Sequence, residues 1–200
     1  MAEVRYEMRV ADLFTKHSKP ADPASKVLVC GIGPQLQELT ESDSAVYSRY
    51  YTNLDTALFS DVNDLMDAAR RGYDVIHLLV QLSPGGLLSR LGDSPVFGSD
   101  LIQVCCEQGV KLLWIAYQNN SDDYVSGFKA AGKSLNLIMT ISRSGTKFQV
   151  FLDNLLSRVS KGETLPNAWV ALVPQATGHW QQELPVCIFY AGKGEAKLLS

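Results

Sequence analysis

Four short apolar runs recur along this chain, each bounded by glycine, proline or a polar cluster: VLVCGIG (27–33), YDVIHLLVQL (73–82), KLLWIAYQ (111–118) and LNLIMTIS (135–142). A strand with one wet face alternates apolar and polar residues, and these runs do not. Their near-continuous apolar character is what strands covered on both faces require. A fifth run, PVCIFYAG, lies near the C-terminus. Between them are stretches whose apolar residues recur at three- and four-residue intervals, the spacing of one helix face. Strand and helix alternating from Val27 to Ala191 predict an α/β domain: one mostly parallel, doubly wound sheet in three layers, with helices on both faces.

Residues 1–26 form an N-terminal extension, with a short strand or helix within Val4 to Phe14 and then a linker, KHSKPADPASK; residues 27–200 form the domain. A helix follows Pro34 and stops before Ser42, and the tyrosine-rich segment 44–53 reads as an extended edge strand. Leu58, Val62, Leu65, Met66 and Ala69 place a helix across Asp55 to Arg71, closed by Gly72. Residues 87–98 read as a loop or hairpin, and Ser99 and Asp100 as caps of a helix ending at Gly109. Helices are expected in DYVSGFKAAG, from Thr146 to Gly162, and from Leu165-Pro166 to Pro174.

A chain of this length buries roughly 70% of its unfolded surface, so it needs neither disulfides nor a structural metal. The 18 basic and 21 acidic residues are scattered and give a net charge of −3, without the basic stripe that nucleic-acid binding demands. No apolar run reaches the roughly 18 residues that span a bilayer, and MAEVRYEMRV is too charged for a signal peptide. A cytoplasmic protein that binds neither membrane nor nucleic acid is expected. Of the four cysteines, Cys30 and Cys187 lie inside strand-like runs, and Cys105 and Cys106 are adjacent on a helix and cannot jointly hold a metal.

In order and local wording the chain resembles the caspase-like peptidase fold, and within it the bacterial CHAT domains. YDVIHLL is similar to the strand that leads to the family's catalytic histidine, VKLLWIAYQN to the strand that ends at its catalytic cysteine, and FLDNLLSRVSKGETLPNAWVAL to its late helix pair. A flavodoxin-like or receiver-like sheet shares much of this pattern. Where the resemblance calls for the histidine, the chain has Val80 or Gln81, or Pro84 if LSPGG is aligned with the S-H-G wording of caspases. The cysteine's place falls on Tyr117 or its neighbours Gln118 and Asn119. A phenol, with a pKa near 10, lacks the thiolate character that makes cysteine a nucleophile at neutral pH. The resemblance therefore implies a pseudopeptidase.

Other chemistry reduces to structure. His77 lies well before the carboxyl end of its strand, where open sheets bind ligands, and reads as a hydrogen-bonded core histidine. His17 and His179 have no recognisable partner, and the three histidines are too dispersed for a zinc motif. Gly31-Ile32-Gly33 lacks the third glycine of a dinucleotide loop, and Pro34 removes a backbone donor. Gly127 to Ser134 satisfies the wording of a phosphate loop, but it ends a helix and leads into a strand, the reverse of the required order. Asp122 and Asp123 are explained by helix capping, and Trp169 by core packing. No cofactor is expected.

What these readings imply is a non-enzymatic, CHAT-like domain that binds another protein, or a second copy of the chain, within a bacterial regulatory assembly. His179 and Trp180, in the polar loop GHWQQELP, are its expected contact residues. The alternative is a small-ligand receptor or hydrolase using His77, Ser83, Tyr117, Gln118 and Asn119 at the strand ends. A structural oligomer subunit is a third possibility.

Overall fold

The structure is a computed structural model and describes residues 8–9, 24–81, 87–91, 94–117, 135–143, 147–172 and 186–190. Its central element is one twisted sheet. The four apolar runs become β2 (Val27–Ile32), β4 (Val75–Leu79), β7 (Leu112–Ile115) and β8 (Asn136–Ser142), all mutually parallel. A further parallel strand, β3 (Leu54–Phe59), pairs with β2. β9 (Val186–Tyr190) runs antiparallel to β8, and β1 (Met8–Arg9), from the N-terminal extension, pairs with β9. The order across the sheet is β1-β9-β8-β7-β4-β2-β3. Counted along the chain, the five parallel strands follow the doubly wound order 2-1-3-4-5, whose direction of winding reverses between β2 and β4.

Helices cover both faces, as the double-sided burial of the strands requires. On one face α1 (Gln37–Tyr47), α4 (Lys147–Ser160) and α5 (Leu165–Leu172) pack against Val27, Val29, Val75, Leu79, Trp114 and Ile138. On the other, α2 (Val62–Ala69) and α3 (Gly98–Glu107) pack against Leu28, Cys30, Ile76, Leu78, Leu113 and Ile115. The excursion after β4 is an antiparallel hairpin, β5 (Leu87–Leu91) and β6 (Ser94–Phe97). This is the three-layer α/β domain that the apolar runs predict. Trp169 is buried in its core.

Several local expectations are corrected. The helix after Pro34 does not stop before Ser42: a 3-10 turn at Pro34–Leu36 leads into α1, which continues to Tyr47. Segment 44–53 is therefore no strand. Val46, Tyr47 and Tyr51 are buried; Tyr47 is the last residue of α1, and Tyr51 lies in the turn beyond it, where its N–H donates to the Tyr47 carbonyl. The edge strand is instead the next segment, Leu54–Phe59, where a helix was expected from Asp55. Asp61 breaks that helical pattern in two, because its carboxylate caps α2 by accepting from the N–H groups of Asn63 at 2.7 Å and Asp64 at 3.2 Å. Leu58 shares the spacing of the α2 face yet belongs to the strand before it. At α3 the side chain of Asp100 accepts from the backbone N–H of Phe97 at 2.8 Å, whereas Ser99 lies within the helix. The expected helix in DYVSGFKAAG and the stop at Pro174 lie outside the described residues.

Candidate functional site

A strand buried on both faces has no place for a titratable side chain unless the layer above supplies partners for it. His77 stands in the middle of β4 and is 0% exposed, facing the layer formed by α1 and α4. Its Nε2 lies 2.8 Å from Oδ2 of Asp43, and its Nδ1 lies 3.1 Å from the hydroxyl of Tyr47. Asp43 and Tyr47 are four residues apart on α1, so one helical face presents both to the same imidazole. Arg143, which directly follows β8 and is 7% exposed, completes the group. It donates from Nη1 to Asp43 Oδ2 at 3.0 Å and from Nη2 to Oδ1 at 2.7 Å, a bidentate pair. Its Nη1 also donates to the carbonyl of Ala116 just past β7, and its guanidinium stacks 3.8 Å from the ring centroid of Phe148 on α4.

The electrostatics give one consistent protonation pattern. Burial acts to raise the pKa of Asp43, but the hydrogen bonds and charges of His77 and Arg143 outweigh it and hold the carboxyl below its ordinary value. For His77, burial is the largest influence and pushes the imidazole down; the hydrogen bond and charge of Asp43 oppose it, and Arg143 adds to it. Burial, with the nearby Tyr51 and Asp43, raises the Tyr47 phenol well above its usual range. An ionised carboxylate can only accept, so the neutral imidazole donates Nε2–H to Asp43 and accepts the Tyr47 O–H at Nδ1. Aromatic rings enclose this polar core. Trp114 and Phe148 lie against His77 with centroids 5.2 and 6.2 Å away. The Trp114 Nε1–H donates to Thr140 Oγ1 at 3.0 Å, and Thr140 in turn contacts the Cys187 thiol at 3.4 Å.

This arrangement ties α1, β4, β7, β8 and α4 together but offers no open reacting atom. Both ring nitrogens of His77 and both carboxylate oxygens of Asp43 have partners inside the protein. His77 is therefore the core histidine expected from its position. Among the remaining sites, Val80 is buried, Gln81 is exposed and Tyr117 packs its ring against the core. Ser83, Pro84, Gln118, Asn119, His179 and Trp180 lie outside the described residues. Three thiols are buried: Cys105 and Cys187 are pushed up to about 12 by burial, and Cys30 is raised further by burial and the nearby Cys105. Cys106 is partly exposed. Among the described residues, no group of three or more His, Cys, Asp or Glu could hold a metal ion, and no helix is long and apolar enough to cross a membrane.

Asp43, Tyr47 and Arg143 escaped the sequence reading. The i, i+4 spacing of Asp43 and Tyr47 was available as a signal once 37–47 is read as one helix; the pairing of Asp43 with Arg143 across 100 residues was not. Fold and site together define a doubly wound α/β domain with a buried Asp–His–Arg network. No protein-family model matches the sequence, and no curated protein matches it.

Proposed function

We propose that this chain is a non-catalytic, CHAT-like pseudopeptidase domain that works by binding another protein, as a regulatory or scaffold component of a bacterial assembly. The observation that carries the reading is the content of the two strand ends where the resemblance puts the catalytic pair. Beyond β4 stand buried Val80 and exposed Gln81, and beyond β7 stands Tyr117, packed on the core. The strand histidine is committed to Asp43 and Tyr47, and the buried thiols of Cys30, Cys105 and Cys187 are held in the protonated, unreactive form. A domain that keeps such a scaffold without its dyad retains a surface, and the segment GHWQQELP with His179 and Trp180 is the proposed contact.

Two measurements test this together. Purified protein is expected to leave peptide libraries uncleaved, and thiol-dependent cleavage abolished by Cys105→Ala or Cys106→Ala would overturn the pseudopeptidase reading. Trp180→Ala is expected to leave the melting temperature nearly unchanged while weakening association in pull-down or sedimentation. Truncating an interface tryptophan often costs on the order of 2 kcal/mol. A lowered melting temperature with association intact would assign Trp180 to the core.

A further inference from the structure

The sheet ends at β3, and that end is open among the described residues. β3 pairs with β2 on one side, and no described strand pairs with its other side. The carbonyls of Asn53 and Phe59 accept from the N–H groups of Val27 and Gly33, so the odd-numbered residues of this segment bond inward. Along a strand the backbone groups alternate in direction. Leu54, Thr56 and Leu58 therefore turn their N–H and C=O groups outward, a template for one more strand. Natural edges are commonly blunted by lysine, proline or a bulge, and β3 (LDTALF) has none of these; it is paired with β2 in unbroken register. Thr56 is exposed on this edge, and Leu58 is 40% exposed.

Charge decides what fits there. The carboxyl half of the edge is acidic. Asp61 caps α2 just after β3 and Asp64 lies in the first turn of that helix, both exposed, with the Ser60 hydroxyl donating to Asp64 at 3.2 Å. Ser44 and Thr56 hydrogen-bond side chain to side chain, which places the stripe of α1 containing Ser44 and exposed Glu41 over the strand. Asp55 is exposed on β3 itself and accepts from the Tyr73 hydroxyl at 2.7 Å. The nearby described cations sit at the amino end: Lys26 lies over the Tyr73 ring and donates to the Arg71 carbonyl. The edge strand that a second copy of the chain would offer, LDTALF, carries no lysine or arginine to meet these carboxylates.

We infer that the outer edge of β3 is a docking site for an extended, basic peptide segment of another protein, which adds as a further parallel or antiparallel strand. The backbone groups of Leu54, Thr56 and Leu58 supply the pairing, Leu58 an apolar contact, and Glu41, Asp61 and Asp64 the preference for lysine or arginine. This site lies at the end of the sheet opposite β1 and does not depend on residues 173–185.

The test uses the full chain and two capped eight-residue peptides, one alternating valine with lysine and the other valine with glutamate. In the free protein the amides of residues 54, 56 and 58 are expected to exchange quickly with solvent. The valine–lysine peptide is expected to shift their NMR signals and protect them, more strongly at low salt, while the valine–glutamate peptide does neither. Leu58→Pro removes an outward N–H without breaking a β2 bond, so it should weaken binding about tenfold and change the melting temperature by no more than about 2 °C. Glu41→Lys, which leaves the backbone alone, should weaken it in the same direction. Trp180→Ala should leave peptide binding unchanged. Protection of these amides in the free monomer, equal binding of the two peptides, or concentration-dependent protection from self-association would each overturn the inference.

Discussion

Replacing Arg143 with methionine tests whether the buried network is one energetic unit. The substitution keeps most of the aliphatic volume but removes both bonds to Asp43, the bond to the Ala116 carbonyl and the cation over Phe148. At an effective dielectric constant of about 20, unit charges about 4 Å apart attract by about 4 kcal/mol. Losing that attraction leaves the Asp43 carboxylate, 0% exposed, with the imidazole as its partner. Removing one member of a buried ion pair typically costs about 3–5 kcal/mol, and the same range is expected here. Asp43→Asn should also be costly, since it leaves the guanidinium buried without its counter-charge. The double variant should then lose less than the sum of the single losses, with a coupling of about 1–3 kcal/mol. Urea unfolding at 25 °C measures all three. A loss below about 1 kcal/mol for Arg143→Met, or additive single losses, would show that the charges are independently solvated and refute the reasoning.

Stability should also depend on pH. His77 is held below its ordinary pKa by burial, so as pH falls below about 6.5 the unfolded chain takes up a proton that the folded protein refuses. Stability is lost in that window down to the folded pKa, with a slope of at most about 1.4 kcal/mol per pH unit. Melting curves between pH 7.5 and 5 should show this slope, and His77→Gln should flatten it; an unchanged slope would remove His77 as its source. The depressed Asp43 carboxyl adds a second loss, as pH drops from about 3.9 through its folded pKa. Gly31→Ala should destabilise by about 1–3 kcal/mol, because the added Cβ would lie 2.6 Å from Thr40 Oγ1 and 3.2 Å from Leu36 Cβ. Since Thr40 Oγ1 donates to the Leu36 carbonyl at 2.8 Å, a neutral result in urea unfolding would mean that this hydroxyl moves aside without cost.

The apolar runs were sufficient to read the sheet. A strand covered on both faces has to be apolar on both, so Val27–Ile32, Val75–Leu79, Leu112–Ile115 and Asn136–Ser142 were recognisable from composition alone, as was Val186–Tyr190. The glycines and proline of 87–98 marked an excursion from the sheet, and strand pairing decided that it is a hairpin rather than a loop. Segments with mixed signals were not. Leu58 fits the spacing of the α2 face but lies in β3, because local periodicity carries no information about the neighbouring strand that captures a segment. The tyrosines of 44–53 suit a strand by propensity, yet packing against β2 and β4 draws Val46 and Tyr47 into a helix, since burial of a helical face outweighs intrinsic preference. That His77 would need a partner followed from its place in an apolar strand. That the partners are Asp43, Tyr47 and, through Asp43, Arg143 was decided by tertiary structure, because the crossover helix α1 between β2 and β3 and the end of β8 bring side chains up to 100 residues apart to the same histidine on β4.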